Sequence, residues 1–77
     1  MKTMKELIKE AIERGYDVII TDADGLYIEK SYNDDYWVTM ADAYCVMCEY
    51  TIEEIEAMEV VSYDWSEDDG FLFIEAK

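Results

Sequence analysis

Tyr16-Asp17-Val18-Ile19-Ile20-Thr21-Asp22-Ala23-Asp24-Gly25-Leu26-Tyr27-Ile28-Glu29 is the stretch that decides the fold class. Tyr16, Val18 and Ile20 fall on one side of an extended chain; Asp17, Ile19 and Thr21 fall on the other. That is the period-two alternation of a strand. Asp24-Gly25 is the signal of a type I′ hairpin turn, and Leu26 to Tyr32 reads as the returning strand. A sheet that starts this way is antiparallel.

Upstream, Met4, Leu7, Ile8, Ala11 and Ile12 recur at i, i+3, i+4, i+7 and i+8, which predicts an amphipathic helix over residues 3–14. Thr3 and Glu6 have capping-box spacing, and Gly15 stands where a left-handed C-terminal residue belongs. Four of the six basic residues, Lys2, Lys5, Lys9 and Arg14, lie on or beside this helix. Glu10 and Arg14 have the favourable i, i+4 order. The segment is nearly neutral and reads as scaffold.

Downstream, Asn33-Asp34-Asp35 predicts a turn and Tyr36 to Met40 a third strand. Residues 41–50 are apolar on every side, which suits a short buried helix started by Asp42 or a continued strand; the helix is the expectation. Thr51 and Glu54 repeat the capping box, and Ile52, Ile55 and Met58 mark a short helix. Val60 to Trp65 reads as a strand, Ser66 to Gly70 as an acidic turn, and Phe71 to Ala76 as the last strand. The expected fold is a single α+β domain over residues 1–77. It has an antiparallel sheet of about five strands, with the long N-terminal helix and one or two short helices on one face. Asp24-Gly25-Leu26 and Asp69-Gly70-Phe71 each follow a helix and a strand, a weak echo suggesting two helix–hairpin units. No proline-bearing linker divides them.

Charge is the most informative property of the chain. Its 77 residues carry twenty acids against six bases, a net charge of −14, yet 52% of them are hydrophobic and 14% aromatic. Such a composition folds rather than forming a disordered acidic tail. From Ser31 to Ala76 there is no Lys, Arg or His, and thirteen carboxylates occur. Spread over half of a folded surface of roughly 4,900 Å², they would have about 190 Å² each. Duplex DNA has roughly 110 Å² per charge. The densities agree within a factor of two, close enough to compete for a basic groove.

Neither a signal-peptide core nor a membrane-length apolar run is present, and two cysteines without a signal suggest free thiols in a reducing compartment. Cytoplasmic is the expected location, without membrane association, as monomer or homodimer. Cys45-Val46-Met47-Cys48 lacks the two further ligands of a structural zinc site. Its acidic flanks, Asp42 and Glu49, would raise a thiol pKa rather than activate it. Packing is its expected role, with a metal site shared between two chains as the remaining alternative. Asp22-x-Asp24 begins like a calcium loop, but Tyr27 and Asn33 occupy the positions that need Gly and Glu. No metal and no cofactor are expected.

Val18-Ile19-Ile20-Thr21-Asp22-Ala23-Asp24-Gly25 resembles the first motif of haloacid-dehalogenase-type phosphatases. The resemblance would make Asp22 the nucleophile and Asp24 the general acid. Leu26 replaces the Thr of that motif, and no separate Lys motif follows. With no His and few cations for a developing anion, a non-catalytic protein is expected. The chain is not similar to acyl carrier proteins, since Asp64-Trp65-Ser66-Glu67 lacks their modified-serine motif.

The candidate contact residues are therefore Asp34, Asp35, Trp37, Glu53, Glu54, Glu56, Glu59, Asp64, Glu67, Asp68 and Asp69. Trp37 and Trp65 each suit either a core or an interface anchor. In size and charge the chain resembles phage-encoded anti-defence inhibitors that mimic DNA, of the anti-CRISPR or anti-restriction type. That resemblance implies a basic nucleic-acid-binding protein or nuclease complex as partner, with no direct nucleic-acid binding. The competing expectation is a small interaction module that self-associates, its acidity serving solubility.

Overall fold

A computed structural model describes residues 2–34, 37–41, 44–47 and 50–77, with residues 39–41 and 44–47 followed through their backbone alone. The first helix, α1 (Met4–Arg14), is built as its sequence predicts. The Thr3 hydroxyl accepts the Glu6 N–H at 3.2 Å, and the Glu6 carboxylate accepts the Thr3 N–H at 3.1 Å. Gly15 ends it at φ 76°, and the Tyr16 N–H reaches back to the Ala11 carbonyl at 2.8 Å. That bond pattern satisfies orphan carbonyls of the last turn and requires the left-handed glycine.

Six strands follow: β1 (Asp17–Thr21), β2 (Tyr27–Lys30), β3 (Val38–Ala41), β4 (Tyr44–Met47), β5 (Val60–Ser66) and β6 (Phe71–Ala76). The second helix, α2 (Ile52–Glu56), lies between β4 and β5. The chain is α+β as expected, but the sheet has six strands in the order β4-β3-β2-β1-β6-β5 and is mixed, not wholly antiparallel. β1 and β6 run parallel, pairing Val18 with Leu72 and Ile20 with Ile74, and the Asp17 N–H donates to the Gly70 carbonyl at 2.9 Å. The reason lies in β1 itself: Val18, Ile19 and Ile20 are all buried, as suits an interior strand with a neighbour on each edge.

The described residues between 41 and 50 do not form the expected helix. Ala41 closes β3, and Tyr44–Met47 pairs with it antiparallel, Ala41 against Tyr44 and Val38 against Met47. A hairpin partner satisfies the free backbone groups of β3, which a helix at that place would leave unpaired. Asp42, Cys48 and Glu49 lie outside the described residues. The 22–26 connection is also longer than a two-residue turn, because pairing stops at Thr21 and Tyr27. Asp22 organises it: its carboxylate accepts the N–H groups of Asp24 at 2.9 Å and Leu26 at 2.8 Å. Gly25 supplies the positive φ of 93°.

Both helices pack on one face of the sheet. Met4, Leu7 and Ala11 of α1 and Ile55 of α2 join Val18, Ile20, Ile28, Trp37, Leu72 and Ile74 in one buried cluster. The two helix–strand–turn–strand units exist, but they are not related by symmetry. Like strands of a two-fold repeat would meet antiparallel; here the first strand of one unit lies parallel to the second strand of the other.

Thr51 caps α2 as Thr3 caps α1, accepting the Glu54 N–H at 3.1 Å. With only five residues in α2, this cap is a large share of its local stability. Thr51→Ala is expected to cost about 1 kcal/mol in urea denaturation. Thr51→Ser, which keeps the oxygen, should cost far less.

Candidate functional site

Strand register sorts the charged side chains by layer. Val18 and Ile20 face the helices, so Asp17, Ile19 and Thr21 face away from them. Their partners share that open face: Glu29 and Tyr27 on β2, and Phe71, Phe73 and Glu75 on β6. Across β6, Ser66, Asp64 and Ser62 oppose Phe71, Phe73 and Glu75. The Ser62 hydroxyl donates to Glu75 at 3.2 Å. Phe71 and Phe73 lie with ring centroids 5.7 Å apart, and Phe73 is 40% exposed while Ile19 beside it is only 6% exposed. The open face is thus an apolar centre with carboxylates around it. No described strand residue on that face is basic.

The cations are elsewhere. Lys2, Lys5, Lys9 and Arg14 belong to α1 and its lead-in, and Lys30 pairs with Val18, which puts it on the helix side. Glu10 takes up two of them, bonded to Lys2 and to Arg14 at 2.7 Å. Arg14 also lies 4.2 Å from the ring centroid of Trp65, which Tyr16 meets edge-on at 5.6 Å. Trp65 is half-buried and anchors the end of α1. Lys77, the last residue, lies 3.8 Å from Glu59, with both side chains about 70% exposed, a pair of little energetic weight. Among the described residues, no other predicted contact carboxylate has an ion-pair partner.

Among the described residues two carboxyls are held clearly below the ordinary glutamate range, and both are on α1. The Thr3 backbone N–H, then its hydroxyl, lower Glu6; the Lys2 ammonium lowers Glu10. Because their folded values are depressed, they favour the folded state at neutral pH. That contribution is lost as pH falls through the lowered values. The balanced charges therefore stabilise the scaffold, while the unbalanced ones lie on the rest of the surface.

The predicted contact residues divide into three groups. Glu53, Glu54 and Glu56 are on α2, in the helix layer, and Glu59 follows it. Asp64 is on the open face. Asp34, in the β2–β3 connection, and Glu67, Asp68 and Asp69, in the β5–β6 turn, are at one end of the sheet. Both connections leave the edge where β1 and β6 begin. There the Ser66 hydroxyl holds Asp69 at 3.0 Å, and the Asp17 carboxylate accepts the Tyr32 N–H at 3.0 Å. Asp35 lies outside the described residues. Trp37 is 6% exposed and belongs to the core, so its side chain presents no surface to a partner.

Sequence reading missed Asp17, Glu29, Glu75 and Phe73 as one surface. The signal existed in β6, where Phe71, Phe73 and Glu75 alternate with buried Leu72, Ile74 and Ala76. It could not be assembled without the parallel β1–β6 register. Spread evenly, a net charge of −14 on 5173 Å² gives one charge per roughly 370 Å², over three times sparser than duplex DNA.

The repulsion among these groups has a direct consequence for stability. Raising NaCl to about 0.5 M shortens the Debye length to a few ångströms and should raise Tm by about 5 °C. A Tm that falls with salt would mean the ion pairs of α1 outweigh the repulsion.

Among the described residues no helix is long and apolar enough to cross a membrane, and no group of three or more His, Cys, Asp or Glu is placed to hold a metal. No protein-family model, curated protein or solved structure matches the chain.

Proposed function

We propose that the chain is a non-catalytic acidic inhibitor that imitates nucleic-acid phosphates and blocks a basic nucleic-acid-binding protein, such as a CRISPR–Cas or restriction effector. The observation that carries this reading is the segregation of charge. Five of the six cations are on α1, its lead-in or the helix side of β2, while no described strand residue on the open face is basic and the turn-end carboxylates have no ion-pair partner among the described residues. Solvated surfaces serving solubility mix both signs. A one-signed field instead steers an oppositely charged partner and speeds its association.

Asp22 supports the non-catalytic side of the reading. Its carboxylate closes the 22–26 loop, and β1 passes into an antiparallel strand rather than a helix. The proposed partner-binding set is Asp34, Asp64, Glu67, Asp68 and Asp69, with Glu53, Glu54, Glu56 and Glu59 as a second group on the other layer.

The test is capture from cells that express defence systems, followed by elution with duplex DNA and mass spectrometry. The expected eluate is a basic nucleic-acid-binding protein, released by DNA but not by an equal mass of a neutral polysaccharide. Capture of proteins that DNA fails to release would contradict phosphate mimicry. A chain that runs as a dimer and captures nothing would favour the self-associating module.

A further inference from the structure

The geometry points to the open face of the sheet, rather than the acidic helix α2, as the surface that docks the partner. The partner it fits is a protein face carrying Arg or Lys around an apolar centre. This deepens the proposed function and rests on it. Three observations carry it. Phe73 is 40% exposed on a sheet face that no described helix covers, with the Phe71 ring 5.7 Å away. An apolar centre of that kind is what distinguishes an interface from a solvated surface. Asp64 is directly across from Phe73, Glu75 is two residues along the same strand, and Glu29 opposes Ile19 on the other side. The rim is therefore one-signed, and the matching rim on a partner is cationic.

A second copy of this chain fits poorly. Self-pairing through this face would bring the rim carboxylates of two molecules together without an interposed strand cation, each molecule already at −14. The α2 acids cannot share the same flat contact, because Ile55 fastens α2 to the opposite side of the sheet. The molecule measures 28 × 23 × 21 Å, against a Debye length of about 8 Å at physiological salt. A partner on one layer feels mainly the charges of that layer.

The test uses two synthetic peptides of equal length and charge, one alternating Arg with Leu and the other Arg with Ser. Binding is followed by fluorescence anisotropy and by backbone amide shifts. The Arg-Leu peptide should bind about tenfold tighter, because it adds burial against Phe73 to the same charge pairing. Amide shifts should map to β1, β5 and β6. Phe73→Ser should remove the tenfold preference and leave Arg-Ser binding unchanged. Asp64→Asn with Glu75→Gln, which keeps both side-chain shapes, should weaken both peptides. Glu53→Gln with Glu54→Gln and Glu56→Gln should weaken neither by more than about twofold.

Equal affinity for the two peptides, or shifts confined to α2, would overturn the open-face assignment while leaving the acidic-mimic reading intact. Failure of both peptides to bind at low salt would overturn that reading as well. A Phe73-dependent dimer in sedimentation would assign the face to a second copy instead.

Discussion

Ile20→Ala is expected to cost about 2–4 kcal/mol, read as a lower urea midpoint with an unchanged slope. Ile20 is fully buried on β1, the strand next to the middle of the sheet that carries the parallel pairing. Its cross-strand neighbours are Ile28 on β2 and Ile74 on β6, both buried to within 1%. Removing three carbons there opens a cavity between two strand pairings and beneath α1, where no flexible surface side chain can fill it. A chain of this size has a total stability of about 4–12 kcal/mol. The loss is therefore a large share, and in low salt, where carboxylate repulsion is strongest, the variant should be substantially unfolded. Ile12→Ala is the matched control: Ile12 is 40% exposed on α1, and its loss should be several-fold smaller.

The second large effect is on association. Asp34→Asn, Glu67→Gln, Asp68→Asn and Asp69→Asn together remove four charges from one end of the sheet. None of the four has an ion-pair partner among the described residues. The association rate with the captured basic partner should fall about 10- to 1,000-fold at low salt, and its salt dependence should flatten. Dissociation should change much less, since exposed charges act mainly before contact. Stability should rise slightly at the same time, because like charges have been thinned. A variant that binds as fast as the parent would remove the turn end from the contact.

Much of this architecture was legible in the residues. Both helices were marked by Thr–Glu capping boxes at Thr3–Glu6 and Thr51–Glu54, and both boxes form with hydrogen bonds in each direction. Strand alternation put Val18 and Ile20 on one side of the chain, and that side packs against the helices, since period two depends only on local geometry. The parallel β1–β6 contact was not legible. It joins residues more than fifty positions apart, and nothing local distinguishes a strand that will have a parallel neighbour from one that will not. The Tyr44–Met47 strand was the second choice behind a helix for a related reason: an apolar run without periodicity fits helix or strand until its partner is known.

The candidate site divided the same way. Acidity was read from composition, and the Glu67–Asp69 turn from its glycine. Trp37 could serve either as core or as anchor, and burial against the helices decided for core. The apolar centre at Phe73 appeared only once β1, β5 and β6 were laid side by side.

If the chain imitates phosphates, it and DNA must compete for a single groove. A labelled DNA duplex is bound to the captured partner, the chain is titrated in, and free and bound DNA are measured at about 50 mM and 200 mM salt. Stoichiometric release of DNA is expected, with a weaker apparent affinity for the chain at the higher salt. A ternary complex, in which DNA stays bound while the chain is also bound, would contradict phosphate mimicry.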